Sequence, residues 1–108
     1  MKMNLCGGRH DMPAKENIFD EAIADVKNLA AMNAIVAEKL KDVEGLDLYV
    51  TGLTVALGEV VNYCFKALIP LTLWHWDRES GEYFPQIILS DRQCHMLNYD
   101  HGIKHLVV

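Results

Sequence analysis

The sequence predicts one α/β domain built on a mixed sheet, and three observations carry that prediction. Segments with strand character alternate with segments of helical period, which implies parallel strands joined through helices. Glycine and proline are sparse and sit mostly where turns are expected. The chain has 108 residues and is 51% apolar, enough for one core and too much for a disordered chain. The expected architecture is a compact single α/β domain over 1–108, with about four to five strands and about two or three helices. The alternative is α+β, with a long N-terminal helix packed on one face of an antiparallel sheet.

Met1 to Cys6 reads as a short strand, ended by Gly7-Gly8. Gly8 to Pro13 is then a polar loop. Asp11 or Asn17 can cap a following helix, with Pro13 suited to a first turn. Ile18 to Val43 reads as that helix, because Phe19, Ala22, Ile23, Val26, Leu29, Ala30, Val36, Ala37, Leu40 and Val43 recur at helical spacing. Such a helix would span roughly 40 Å at about 1.5 Å per residue, so a break near Ala31-Met32-Asn33 is an open alternative. Gly45 suits the stop.

Leu46 to Val50 is a strand of β-favouring residues. Thr51-Gly52-Leu53-Thr54 is a tight turn, and Val55 to Leu68 a second helix apolar on nearly all sides. Ile69-Pro70 ends it. Leu71 to Trp76 and Tyr83 to Leu89 form a hairpin across Asp77 to Glu82, where Gly81 supplies a positive φ. Pro85 marks the return strand as an edge or a bulge. A short helix over Asp91 to Leu97 and a last strand over Lys104 to Val108 complete the pattern.

Charge narrows the function. Fifteen acidic residues against ten Lys and Arg leave a net charge of −5, with no basic stripe for a bulk nucleic acid. A small anion held by one or two cations and backbone amides fits better. Cys6, Cys64 and Cys94 are odd in number and widely spaced, which argues against a disulfide framework. The start lacks the pattern of a secretory signal. The longest apolar region, Gly52 to Trp76, is interrupted by Glu59, Asn62, Lys66 and Pro70, so no membrane span is expected. These features predict a cytoplasmic protein.

Ligands of open α/β sheets bind beyond the carboxyl ends of parallel strands. Three groups follow such ends here: Gly7, Gly8, Arg9 and His10; Thr51, Gly52, Leu53 and Thr54; and His75, Trp76, Asp77 and Arg78. Arg9 and His10 beside two glycines make a plausible phosphate or carboxylate contact. The ordinary alternative is a flexible turn with solvated charges. Thr51, Gly52 and Thr54 open a helix whose amides attract anions. The ordinary alternative there is a threonine cap. His10 and His75 are the candidates for general acid or base work. A lone strand histidine such as His75 is more often a hydrogen-bonded packing residue. Asp77 and Arg78 shape the turn.

Metal ligands can be paired on paper as Cys6 with His10, Cys94 with His95, and Asp100 with His101 and His105. No C-x-x-C or H-E-x-x-H spacing occurs, so neither metal nor cofactor is expected. Neither serine, Ser80 or Ser90, sits in a nucleophile elbow. Cys64, on a buried helix, is expected to be inert.

The segment Leu46 to Leu57, Leu-Asp-Leu-Tyr-Val-Thr-Gly-Leu-Thr-Val-Ala-Leu, resembles the strand–turn–helix of small Rossmann-like domains. It is similar to the corresponding part of CARF domains, which sense cyclic oligoadenylates through a Thr- and Gly-containing turn after a strand. The resemblance implies a Rossmann-like fold and puts Thr51, Gly52 and Thr54 at a ligand. It covers only that segment.

Two functions remain in competition. One is a module binding a nucleotide-like or other small anion through Arg9, His10, Thr51, Gly52 and Thr54. Those residues serve a sensor, a sponge or a degrading enzyme alike. The other is a protein-interaction or inhibitor module without a small ligand, anchored by Trp74, Trp76, Tyr83, Phe84 or Tyr99. A small domain with an open hairpin edge also gains by covering it, which favours a homodimer.

Overall fold

The computed structural model describes residues 1–7, 12–20 and 26–97. The strands are β1 (Lys2–Cys6), β2 (Asn17–Phe19), β3 (Leu46–Tyr49), β4 (Leu71–Asp77) and β5 (Glu82–Leu89). The helices α1 (Leu29–Leu40) and α2 (Thr54–Ala67) join β2 to β3 and β3 to β4. Residues 91–97 form a further helix after β5. The five strands make one mixed sheet in the order β2-β1-β3-β4-β5. All neighbours are parallel except the antiparallel β4–β5 hairpin. This is the Rossmann-like α/β architecture.

The long helix expected over Ile18 to Val43 is replaced by a strand and a shorter helix. Asn17–Phe19 pairs in parallel with β1, with Asn4 opposite Asn17 and Cys6 opposite Phe19. Ile18 and Phe19 are both buried, and β-branched Ile18 suits a strand covered on its inner face. The helix starts only at Leu29, where the Asn28 side chain accepts from Ala31 N at 3.1 Å. Helical spacing across residues 18–29 thus overran a real N-cap. Asn17, considered as a cap, is instead the first residue of β2. Asp11 and the strand expected over Lys104 to Val108 lie outside the described residues.

The parallel step from β1 to β2 spans only residues 7–16, short for a crossover. Asn4 holds it. This side chain is 1% exposed, and Nδ2 donates to Ala14 O at 2.8 Å and to Asn17 Oδ1 at 3.0 Å. Its Oδ1 accepts from Ala14 N at 3.2 Å. A buried amide is tolerable because both donor hydrogens and the acceptor are used.

The core lies on one face of the sheet. Met3, Leu5, Leu46, Leu48, Leu71 and Leu73 meet Met32, Val36 and Leu40 of α1 and Ala56, Val60 and Cys64 of α2. The two helices touch each other over that face. At the end of α2, Leu68 takes a left-handed φ of 54° and Ile69 N donates to Cys64 O at 2.9 Å. That closes the helix before Pro70.

The opposite face carries an aromatic row. Tyr49 stacks on Trp74 with centroids 6.0 Å apart, and Tyr83 meets Tyr49 edge-on at 5.0 Å and Trp76 at 5.1 Å. Trp74 Nε1 donates to Asp47 Oδ1 at 2.9 Å. Pro85 sits where the ladder loses nothing. Val50 N donates to Trp74 O, so the backbone groups of Trp74 face β3. Pro85 is opposite Trp74, so its nitrogen turns to the open edge. The bulge lies further along, between Leu71 and Thr72.

Candidate functional site

The strand order places a topological switch between β1 and β3. The chain leaves β1 toward β2 and leaves β3 through α2 toward β4, in opposite directions across the sheet. Loops that part in this way open a crevice beyond the carboxyl ends of the two strands. Two of the three residue groups singled out in the sequence follow these ends. Gly8, Arg9 and His10 lie outside the described residues.

On the β1 side, Gly7 N donates to Phe19 O at 2.9 Å. A Cβ on Gly7 would stand 2.7 Å from Asn17 Nδ2 and 3.1 Å from Asp20 O, so only glycine lets the chain exit so close to β2. Cys6, half-buried at the same end, has its thiol pushed up by burial, an effect partly offset by the neighbouring Thr51 side chain.

On the β3 side, Thr51 O accepts from Leu53 N and Gly52 adopts a φ of 26°. Gly52 and Thr54 are exposed, and Thr51 is half-buried. No side chain caps α2 and no acidic residue lies in its first turn, so a threonine cap is absent from this turn. The leading amides of α2 are thereby left to other acceptors. Thr51 Oγ1 is buried with no hydrogen-bond partner among the described residues. Buried hydroxyls are normally satisfied, so this atom is an exception within the fold.

The third group divides. Along β4, His75 shares a face with Leu71 and Leu73, while Trp76 shares the other with Trp74. His75 Nε2 lies 2.7 Å from Gln86 Oε1, and its ring is 5.4 Å from that of Phe84. It is a hydrogen-bonded strand residue directed away from Thr51 and Cys6. Asp77 closes the hairpin turn, accepting from Glu79 N at 3.2 Å and Ser80 N at 3.3 Å. The Ser80 side chain, then these amides, hold its carboxyl below the usual carboxylate range.

Sequence reasoning missed Asn4, which ties down the return leg of the β1–β2 connection, and the proximity of Cys6 to Thr51. Only strand register reveals either. An open groove of about 460 Å³ lies at the opposite end, between Glu44 before β3, Leu68 and Pro70 before β4, and Asp91, Cys94 and His95. Its acidic lining suits no anion. Among the described residues, no three His, Cys, Asp or Glu side chains are placed to hold a metal. His10, Asp100, His101 and His105 lie outside those residues.

No family model, curated protein or solved structure matches the chain.

Proposed function

We propose that this protein binds a nucleotide-like or other small anionic ligand at the carboxyl ends of β1 and β3, as a sensor, sponge or degrading enzyme. The observation that carries the reading is the buried, unpartnered Thr51 Oγ1 at the switch point, beside the uncapped N-terminus of α2. Exposed Gly52 lets a ligand approach the backbone, and Thr54 adds a hydroxyl. Arg9 supplies the cation and His10 a second donor from the loop after β1. In an enzyme, Arg9 stabilises developing charge and His10 moves the proton, since His75 is engaged with Gln86 on the other face. Three free cysteines accord with a cytoplasmic setting, and no helix among the described residues is long and apolar enough to cross a membrane.

The test is a thermal-shift screen against mononucleotides, cyclic nucleotides, inorganic phosphate and divalent metals. Ligand at 100 times its dissociation constant adds roughly 2.7 kcal/mol, a rise of several degrees. Arg9→Ala should abolish the shift without lowering the melting temperature of the free protein. A blank screen overturns the reading.

A second reading rests on β5. Phe84 and Ile87 are 50% and 68% exposed on opposite sides of this edge strand, and Tyr83 to Leu89 carries no charge. A second copy of the chain covers such an edge without bringing like charges together. Pro85 removes a donor from the edge, so the contact is packing of side chains rather than strand addition. Sedimentation of the wild type and of Ile87→Lys tests it. A wild type that stays monomeric sinks it.

A further inference from the structure

We infer that Trp76 is a stacking platform for a flat heteroaromatic ring, so that the ligand at the β1–β3 switch point is a nucleotide and not a bare phosphate or sugar phosphate. The inference rests on the ligand-binding reading above and deepens it. Tyr49 pairs with Trp74, and Val50 N still donates to Trp74 O at 3.0 Å. Continuing that register by two residues past the last pair sets Thr51 level with Trp76 on the neighbouring strand. Parallel strands lie about 4.8 Å apart, so the Thr51 turn and the indole are neighbours on adjacent strands. Both belong to the same face. Thr51 touches Cys6, which follows Asn4 by two residues, and Asn4 pairs with Tyr49 of the aromatic row.

Trp76 is 52% exposed, an unusual position for an indole in a small domain. It is nevertheless held, because Tyr83 packs edge-on against it at 5.1 Å and is itself braced by Tyr49. A pre-positioned ring loses little entropy on stacking. The acidic residues of the hairpin do not oppose an anion here. Asp77 pairs with Glu82 on the alternate face, and the Asp77 carboxyl is turned into the Glu79 and Ser80 amides. The arrangement therefore offers a flat apolar surface on the aromatic face at the end of β4, one strand from the Thr51 turn. A molecule with a planar ring joined to a phosphate matches both halves.

The test is calorimetric titration of the full chain with the four nucleoside monophosphates, ribose 5-phosphate and inorganic phosphate, for wild type, Trp76→Leu and Trp76→Phe. Base stacking on an aromatic side chain corresponds to about five- to 150-fold in affinity. Wild type should prefer at least one mononucleotide over ribose 5-phosphate by that factor. Trp76→Leu should bring the ratio to about one while leaving ribose 5-phosphate binding unchanged, and Trp76→Phe should retain part of the preference. Equal binding of ring-bearing and ring-free phosphates by the wild type overturns the platform and leaves the anion site standing. A ratio that survives in Trp76→Leu does the same. Failure of every probe to bind overturns the site reading as well. Unchanged circular dichroism of the variants excludes misfolding as the cause.

Discussion

Replacing Thr51 by valine should make the free protein more stable and its ligand complex weaker. The substitution exchanges a hydroxyl for a methyl at nearly the same shape. In the free protein Thr51 Oγ1 is buried without a hydrogen-bond partner among the described residues. Burying a hydroxyl uncompensated costs about 1–3 kcal/mol by mutational measures. The methyl removes that cost, so the lower bound of the gain is about 1 kcal/mol, or about 4–8 °C in melting temperature for a domain of this size. With ligand bound the sign reverses. A hydrogen bond to a charged group contributes about 1.5–3 kcal/mol, so the variant should bind roughly 10- to 150-fold more weakly. Differential scanning calorimetry with and without the best ligand of the screen reads both effects in one protein. A melting temperature that falls in free Thr51→Val refutes the reasoning, because the hydroxyl would then be satisfied within the fold.

Two other outcomes are expected. Asn4→Ala removes three hydrogen bonds and strands both backbone groups of Ala14, so urea unfolding should show a loss of about 2–4 kcal/mol. Asn4→Asp, which sets a buried carboxylate against Ala14 O and Asn17 Oδ1, should cost at least as much near neutral pH. Burial, with Cys94 nearby, pushes the Cys64 thiol from 9.0 up to about 12. The unfolded thiol ionises above about pH 9 while the folded one stays protonated. Its contribution is thus complete below pH 9 and lost as pH rises toward about 12, a slope that Cys64→Ala should flatten in equilibrium unfolding.

Most of the sheet was legible because its signals are local. Leu46 to Val50 and Leu71 to Trp76 combine β-favouring residues with abrupt turn chemistry, and the Gly81 turn sets the hairpin by itself. The stretch after Ile18 was not legible for an equally physical reason. Ile18 and Phe19 suit a helix stripe as well as a strand, and their choice is made by β1, whose partners lie more than ten residues away. The Asn28 cap was the one local sign of the true boundary, and an unbroken apolar period concealed it. The site divides the same way. Thr51, Gly52 and Thr54 were readable as a strand-to-helix turn. The missing cap, the buried hydroxyl and the nearness of Trp76 all depend on which strand lies beside which.

The sheet separates two kinds of exposed apolar surface. Trp76 stands toward the carboxyl end of β4 on the aromatic face, whereas Phe84 lies beside His75 on the helix-covered face and Ile87 lies further down β5, opposite Thr72. A small ligand at the switch point can account for the first and not for the other two. A second copy along β5 can account for Phe84 and Ile87, yet it leaves the buried Thr51 hydroxyl unexplained. Each reading accounts for a different observation, so they do not exclude one another. A domain of this size that pairs through its β5 edge leaves the β1–β3 switch point, separated from that edge by β4, uncovered in both copies. Ligand affinity should then be the same in Ile87→Lys as in the wild type, and a variant that loses both dimer and ligand would show that the two surfaces are one.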